Sequence, residues 1–202
     1  MLRKFQHSHT FKKTEEDRMA HSILETSLNS AATDARSAGN PMLFLNRLEP
    51  IHDNWHRRTF NARGLGFLSF HWFVIETFKR ANCPSLWSGG IRSFRLVDFT
   101  NFGWSYNVTA RARANDINSL ASFSLAIESW HNDAHMAVGQ AFGIADEMMN
   151  PRVNIYYREF WRLHYFINDK FLAELRRYDS SGTVSQKINR LEQNQHSNLY
   201  RI

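Results

Sequence analysis

The chain has 202 residues, 43% hydrophobic and 14% aromatic, with 16 Phe and 6 Trp, which fits one packed domain spanning 1–202 and excludes a disordered chain. The formal charge of +6 sits mostly at the two ends, in residues such as Arg3, Lys4, Lys12 and Lys13 and Arg176, Arg177, Lys187 and Arg190, so no basic stripe interleaved with stacking aromatics marks a nucleic-acid partner. One cysteine, Cys83, allows neither an internal disulfide nor a thiolate cluster, and a metal held here must use imidazole and carboxylate.

The N-terminal MLRKFQHSHTFKK has no apolar core of signal-peptide length, and no stretch approaches the roughly 20 apolar residues of a membrane span. The expectation is a soluble, cytoplasmic protein without a membrane partner. Thr14 to about Ser37 reads as a helix, capped by Thr14 and opened by Glu15, Glu16 and Asp17, which suit a helix N-terminus. Gly39-Asn40 ends it. A second helix begins at Pro41, with Phe44, Leu48, Ile51 and Trp55 at helical spacing and a kink expected at Pro50. Arg63 to Gly66 reads as a turn, and Phe67 to about Ala81 as a strongly apolar helix closed by Asn82-Cys83-Pro84.

From Pro84 to Asn118 Gly-rich and β-branched short runs predict an irregular insertion with one small hairpin, whose aromatics leave a homodimer open. A helix over about Ile117 to Val138 and another over Asn154 to Tyr178 follow, separated by a loop holding Gly139, Gly143 and Pro151. The bundle core thus covers about 14–178, and residues 179–202 read as a polar tail that is flexible or contacts a partner.

His131 and His135 stand four residues apart, so on a helix both imidazoles leave the same face and can grip one ion. Glu128, one turn earlier, is placed to hydrogen-bond the distal nitrogen of His131. His164 lies among Phe160, Trp161, Ile167 and Phe171 at helical spacing and points into an apolar interior, where an imidazole needs a partner or a metal; Asn168 and Asp169 are candidates to orient it. The same grammar occurs earlier, with His52 and His56 four apart and His71 in Phe67-Leu68-Ser69-Phe70-His71. Ten histidines in 202 residues give about 0.5 pairs at this spacing by chance. Spacing alone is therefore a weak signal, and the flanking residues carry the weight.

Those flanks resemble the type-3 copper family of tyrosinases, catechol oxidases and hemocyanins. His131-Asn132-Asp133-Ala134-His135 followed by Val138-Gly139 is similar to the family's second-metal helix, Phe160 to Phe171 to its closing helix, and Phe67 to His71 to its first-metal segment. The resemblance spans roughly residues 41–175. It implies an all-α fold, an antiparallel four-helix bundle with an irregular insertion, and His131, His135 and His164 as metal ligands.

The first site departs from the pattern. Ala62 stands where tyrosinases carry a loop histidine, and His52 and His56 lie closer to His71 than the corresponding pair does in hemocyanins. His52, His56 and His71 thus either bind a second ion or serve as proton-transfer groups, with His71 and Glu128 the candidate catalytic residues. A small hemocyanin-like chain of this kind looks most like the fungal cyclopenases. That resemblance implies a zinc-dependent, non-oxidative lyase converting cyclopenin-type benzodiazepinediones to viridicatin-type 4-arylquinolinones with loss of methyl isocyanate. The alternative it implies is a dicopper oxidase (a Cu2+ pair) acting on phenols. In either case the partner is an aromatic small-molecule substrate.

Overall fold

A computed structural model describes residues 15–58, 65–87 and 117–190, and among these the regular structure is entirely helical. Helix α1 spans Glu15–Ser37, α2 Pro41–Arg58, α3 Leu65–Arg80, α4 Ile117–Phe142, α5 Ala145–Met149 and α6 Arg158–Tyr178. Two short 3-10 turns, Cys83–Trp87 and Asn154–Tyr156, follow α3 and precede α6. Thr14, Ala62 and most of the insertion, 88–116, with its expected hairpin and the aromatics considered for dimerisation, lie outside the described residues. No described helix is long and apolar enough to cross a membrane.

The helix ends follow local chemistry. At the end of α1, Gly39 takes φ +60°, the Asn40 N–H reaches the Ala35 carbonyl at 2.9 Å and the Gly39 N–H reaches Arg36 at 3.1 Å. That is a Schellman stop, and its left-handed residue is glycine because a Cβ is disfavoured there. Pro41 then opens α2 at the position where a missing N–H costs nothing, and Pro50 is accommodated within the helix rather than ending it.

Four expectations need correction. The predicted turn over Arg63 to Gly66 is cut into by α3, which already begins at Leu65. Gly139 belongs to α4, not to a loop; a Cβ built on it would stand 2.7 Å from the Ala145 backbone, so its bare Cα is what lets α5 fold back against α4. The predicted helix Asn154 to Tyr178 is broken at Tyr157, whose extended backbone separates a 3-10 turn from α6. Beyond α6 the described residues continue to 190. Residues 184–190 are helical, Ile188 is buried in the core, and Arg190 Nε donates to Asp179 Oδ2 at 2.8 Å. The polar tail was read from composition, which misses one apolar anchor and one ion pair.

Helix α1 packs on α2 and α3, α3 on α4 and α6, and α4 on α5 and α6. One continuous apolar cluster draws on each of these helices. In α6 the stripe Phe160, Leu163, Ile167, Phe171 and Leu175 is buried, each side chain contributing about 1.5–3 kcal/mol against exposure. Trp161, also buried, stacks on Phe78 with centroids 3.6 Å apart and donates its indole N–H to the Ile155 carbonyl at 2.7 Å. These contacts fix the rotation of α6, and His164 shares its buried face.

Candidate metal centre

Six histidines converge in this core. His52 and His56 come from α2, His71 from α3, His131 and His135 from α4 and His164 from α6. Five are buried and His56 is partly exposed. One ring nitrogen from each of His52, His56 and His71 lies within 4.8 Å of the other two, as does one from each of His71, His131 and His164, so each group could hold an ion. The sequence-predicted trio shares His131 and His164 with the second of these groups but not His135, whose ring lies beside theirs with centroids 4.3 Å from His131 and 5.2 Å from His164 while its nitrogen belongs to neither group. His71 stacks on His164 at 4.8 Å and so stands between the two groups.

The outward nitrogens are nearly all spoken for. Nδ1–H of His71 donates to the Phe67 carbonyl at 2.8 Å and that of His164 to the Phe160 carbonyl at 2.7 Å, each one turn back on its own helix. His52 donates to the Pro151 carbonyl and His135 to the Met148 carbonyl, both at 2.7 Å, while His131 Nδ1 lies 3.2 Å from Asn132 Oδ1. A carbonyl oxygen only accepts, so these contacts assign the proton to Nδ1 and leave Nε2 as an inward lone pair. This is the arrangement by which proteins orient metal-ligating imidazoles.

The inward nitrogens then pose a problem that a cation solves. Nε2 of His131 and Nε2 of His164 face each other at 3.1 Å, and the Phe160 carbonyl at His164 Nδ1 and the Asn132 amide oxygen at His131 Nδ1 favour the tautomers with both protons on the far side of their rings. Two lone pairs at that distance repel. Two nitrogens held at about 2.0–2.1 Å by one tetrahedral ion would be about 3.3 Å apart, close to the observed spacing. Nε2 of His71 and of His135 are buried without any hydrogen-bond partner, which is costly unless something else takes the lone pair. A proton is a poor candidate: burial first, and neighbouring imidazoles second, hold His71, His131 and His164 well below the ordinary histidine range. Burial lowers His135 to about 4, against the raising effect of the Met148 carbonyl. The donor set therefore fits a divalent ion that accepts neutral imidazole.

Around the nitrogens the walls are aromatic. Phe67 lies 4.2 Å from His71 and 4.7 Å from His131, and Phe160 lies 3.9 Å from His164 and 5.3 Å from His52. Each phenyl ring thus touches both groups. Trp55 packs edge-on to His56 at 5.0 Å.

Glu128 is half-buried on α4, and the acceptor at His131 Nδ1 is Asn132 rather than the glutamate. Asn168 is buried and Asp169 exposed, but His164 takes its orientation from the Phe160 carbonyl. Sequence reasoning also missed Met148 and Pro151, because a backbone acceptor has no side-chain signature. Compared with protein families, curated proteins and solved structures, the chain matches none.

Proposed function

We propose that this chain is a metal-dependent enzyme holding two ions in adjacent three-histidine sites, His52/His56/His71 and His131/His135/His164, and acting on an aromatic small molecule. The likeness to type-3 copper proteins then extends to the antiparallel four-helix bundle, here α2, α3, α4 and α6. The observation that carries this reading is the 3.1 Å approach of His131 Nε2 to His164 Nε2 while each Nδ1 stands against an oxygen acceptor. The sequence favoured a single zinc because the first site looked incomplete. Burial of His52 and His71, with His71 Nε2 left without a hydrogen-bond partner, weighs instead toward two ions, and so toward a dicopper oxidase acting on phenols.

Bound copper would supply reaction with dioxygen, and bound zinc only Lewis acidity at a carbonyl or epoxide oxygen. The chain's own contribution is clear in either case. Carbonyl acceptors fix the histidine tautomers, burial keeps the imidazoles neutral, and Phe67 and Phe160 exclude water from the nitrogens. No carboxylate belongs to either nitrogen group among the described residues; in the one-ion reading, where His56 is not a ligand, this partly exposed imidazole is the group that moves a proton near the substrate.

The second reading, a zinc-dependent cyclopenase-like lyase, draws support from the looser hold on His56, which fits one firm ion beside a proton-transfer group. Elemental analysis of the purified chain, with dioxygen uptake on a catechol and turnover of a cyclopenin-type benzodiazepinedione, separates the two. Two coppers per chain with dioxygen uptake are expected. One zinc with non-oxidative turnover would replace the first reading by the second, and a chain that takes up neither metal would sink both.

A further inference from the structure

Two of the six histidines owe their orientation to one short turn. His52 on α2 donates to the Pro151 carbonyl and His135 on α4 to the Met148 carbonyl, each at 2.7 Å. These histidines belong to different trios, yet their acceptors lie three residues apart, one in the last turn of α5 and one just after it. The remaining acceptors are local: Phe67 serves His71 and Phe160 serves His164 from the same helix, and Asn132 adjoins His131. Among the described residues, only the Met148–Pro151 turn supplies hydrogen-bond acceptors to histidines of both trios.

The turn is itself held in place. Asn154 Nδ2 donates to the Met148 carbonyl at 3.3 Å, giving that oxygen two donors. Arg152 Nε reaches Asp53 Oδ2 at 2.9 Å, and Asp53 is buried beside His52 in α2, where Arg57 Nε holds its other oxygen at 2.9 Å. The Asn154 N–H returns to the Asn150 carbonyl at 2.9 Å. Pro151 is thus clamped between a contact to α2 on one side and a contact to the α4 ligand on the other.

We propose that the Met148–Pro151 turn is a shared positioning element that sets the tautomer and rotation of one ligand in each trio, so that disturbing the turn weakens both ions together. This rests on the reading that the trios hold metal. Without its carbonyl, an imidazole can rotate or move its proton to Nε2, which turns a ligand into a donor that repels a cation. Asn154 and Arg152 are positioning residues, since neither touches a ligand nitrogen.

Equilibrium dialysis of the full chain against Zn2+, with the visible spectrum of the Co2+-substituted protein, tests the proposal. Asn154→Leu and Arg152→Met are each expected to weaken both bound ions about 10- to 100-fold and to shift the Co2+ bands. Tyr156→Phe cuts the same segment's contacts to Asn46 and Glu49 without touching either carbonyl, and should keep wild-type affinity and spectrum. Variants that retain wild-type values, that weaken only one ion, or that Tyr156→Phe matches would overturn the shared role. Arg152 is 56% exposed, so Arg152→Met decides the question even if Asn154→Leu does not fold. A wild-type chain that binds no Zn2+ would overturn the metal reading instead.

Discussion

The two trios are built on the same grammar and held to different standards. Each takes two histidines four apart on one helix and a third from a helix where phenylalanine stands four residues before it: Phe67 before His71, Phe160 before His164. In the second trio every Nδ1 has an oxygen partner. In the first, His52 and His71 have theirs, while His56 makes its one hydrogen-bonding contact through Nε2, to His52, among the described residues. Ligand geometry can thus repeat while the supporting hydrogen bonds do not, and affinity follows the support as much as the ligand.

Acid should produce the largest effect, and it should erase the difference. All six imidazoles have pKa values pushed down by burial, His56 and His135 to about 4. A histidine whose folded pKa is depressed binds its proton more readily in the unfolded chain. Its contribution to stability is therefore complete above the unfolded value near 6.5 and is lost as pH falls from there toward about 4. Metal-free protein should lose several kcal/mol across that window, read as a falling Tm. A Tm unchanged between pH 7.5 and 4.5 would mean that the imidazoles are not buried neutral groups.

Next in size is His164→Ala, which removes the partner of His131 Nε2 but leaves the Met148–Pro151 turn intact. Bound metal measured by elemental analysis should fall from two ions to one, the survivor held by His52, His56 and His71. Loss of both would show that His71, which stands against His164, joins the six residues into a single indivisible site.

How far the sequence made this visible depends on the kind of atom involved. Helical periodicity placed α2, α4 and α6 because apolar side chains recur on one face, and the flanks of His131, His135 and His164 marked them as buried. The break at Tyr157 escaped because Asn154 to Tyr178 keeps its apolar spacing through a backbone change that side chains do not announce. Gly139 was read as a loop signal, although its function is contact: glycine in a helix is disfavoured by propensity and tolerated here for the approach of Ala145. The carbonyls of Met148 and Pro151 were invisible for the reason that any residue offers one. Pairing them with His52 and His135 requires long-range folding, across 99 residues in the case of Pro151.

Gly139→Ala sharpens the contrast from the second trio's side. The added methyl meets the Ala145 backbone at 2.7 Å and Met148 Cβ at 3.1 Å, so α5 must move outward at a cost of about 1–3 kcal/mol. Because Met148 carries the acceptor for His135, the displacement should weaken metal binding as well as lower Tm. Destabilisation with metal affinity intact would mean that α5 supports the fold but not the ligand.

The smallest effect of any ligand removal is expected at His56. Its imidazole is partly exposed, and its Nε2 contact to His52 can be satisfied by a proton on His56 itself, so little desolvation is recovered and little orientation lost when it is removed. His56→Ala should weaken the first ion about tenfold, a lost ligand being partly replaced by water in an accessible position, and leave the second ion at wild-type affinity in Zn2+ dialysis. The variant also isolates chemistry from capture: if His56 moves protons, turnover should fall further than metal occupancy does when Zn2+ or Cu2+ is supplied in excess, and the pH dependence of the residual rate should lose its acid limb. Equal loss of both ions would instead place His56 on a par with His131 and His164, and the difference in hydrogen-bond support between the trios would then have no energetic meaning.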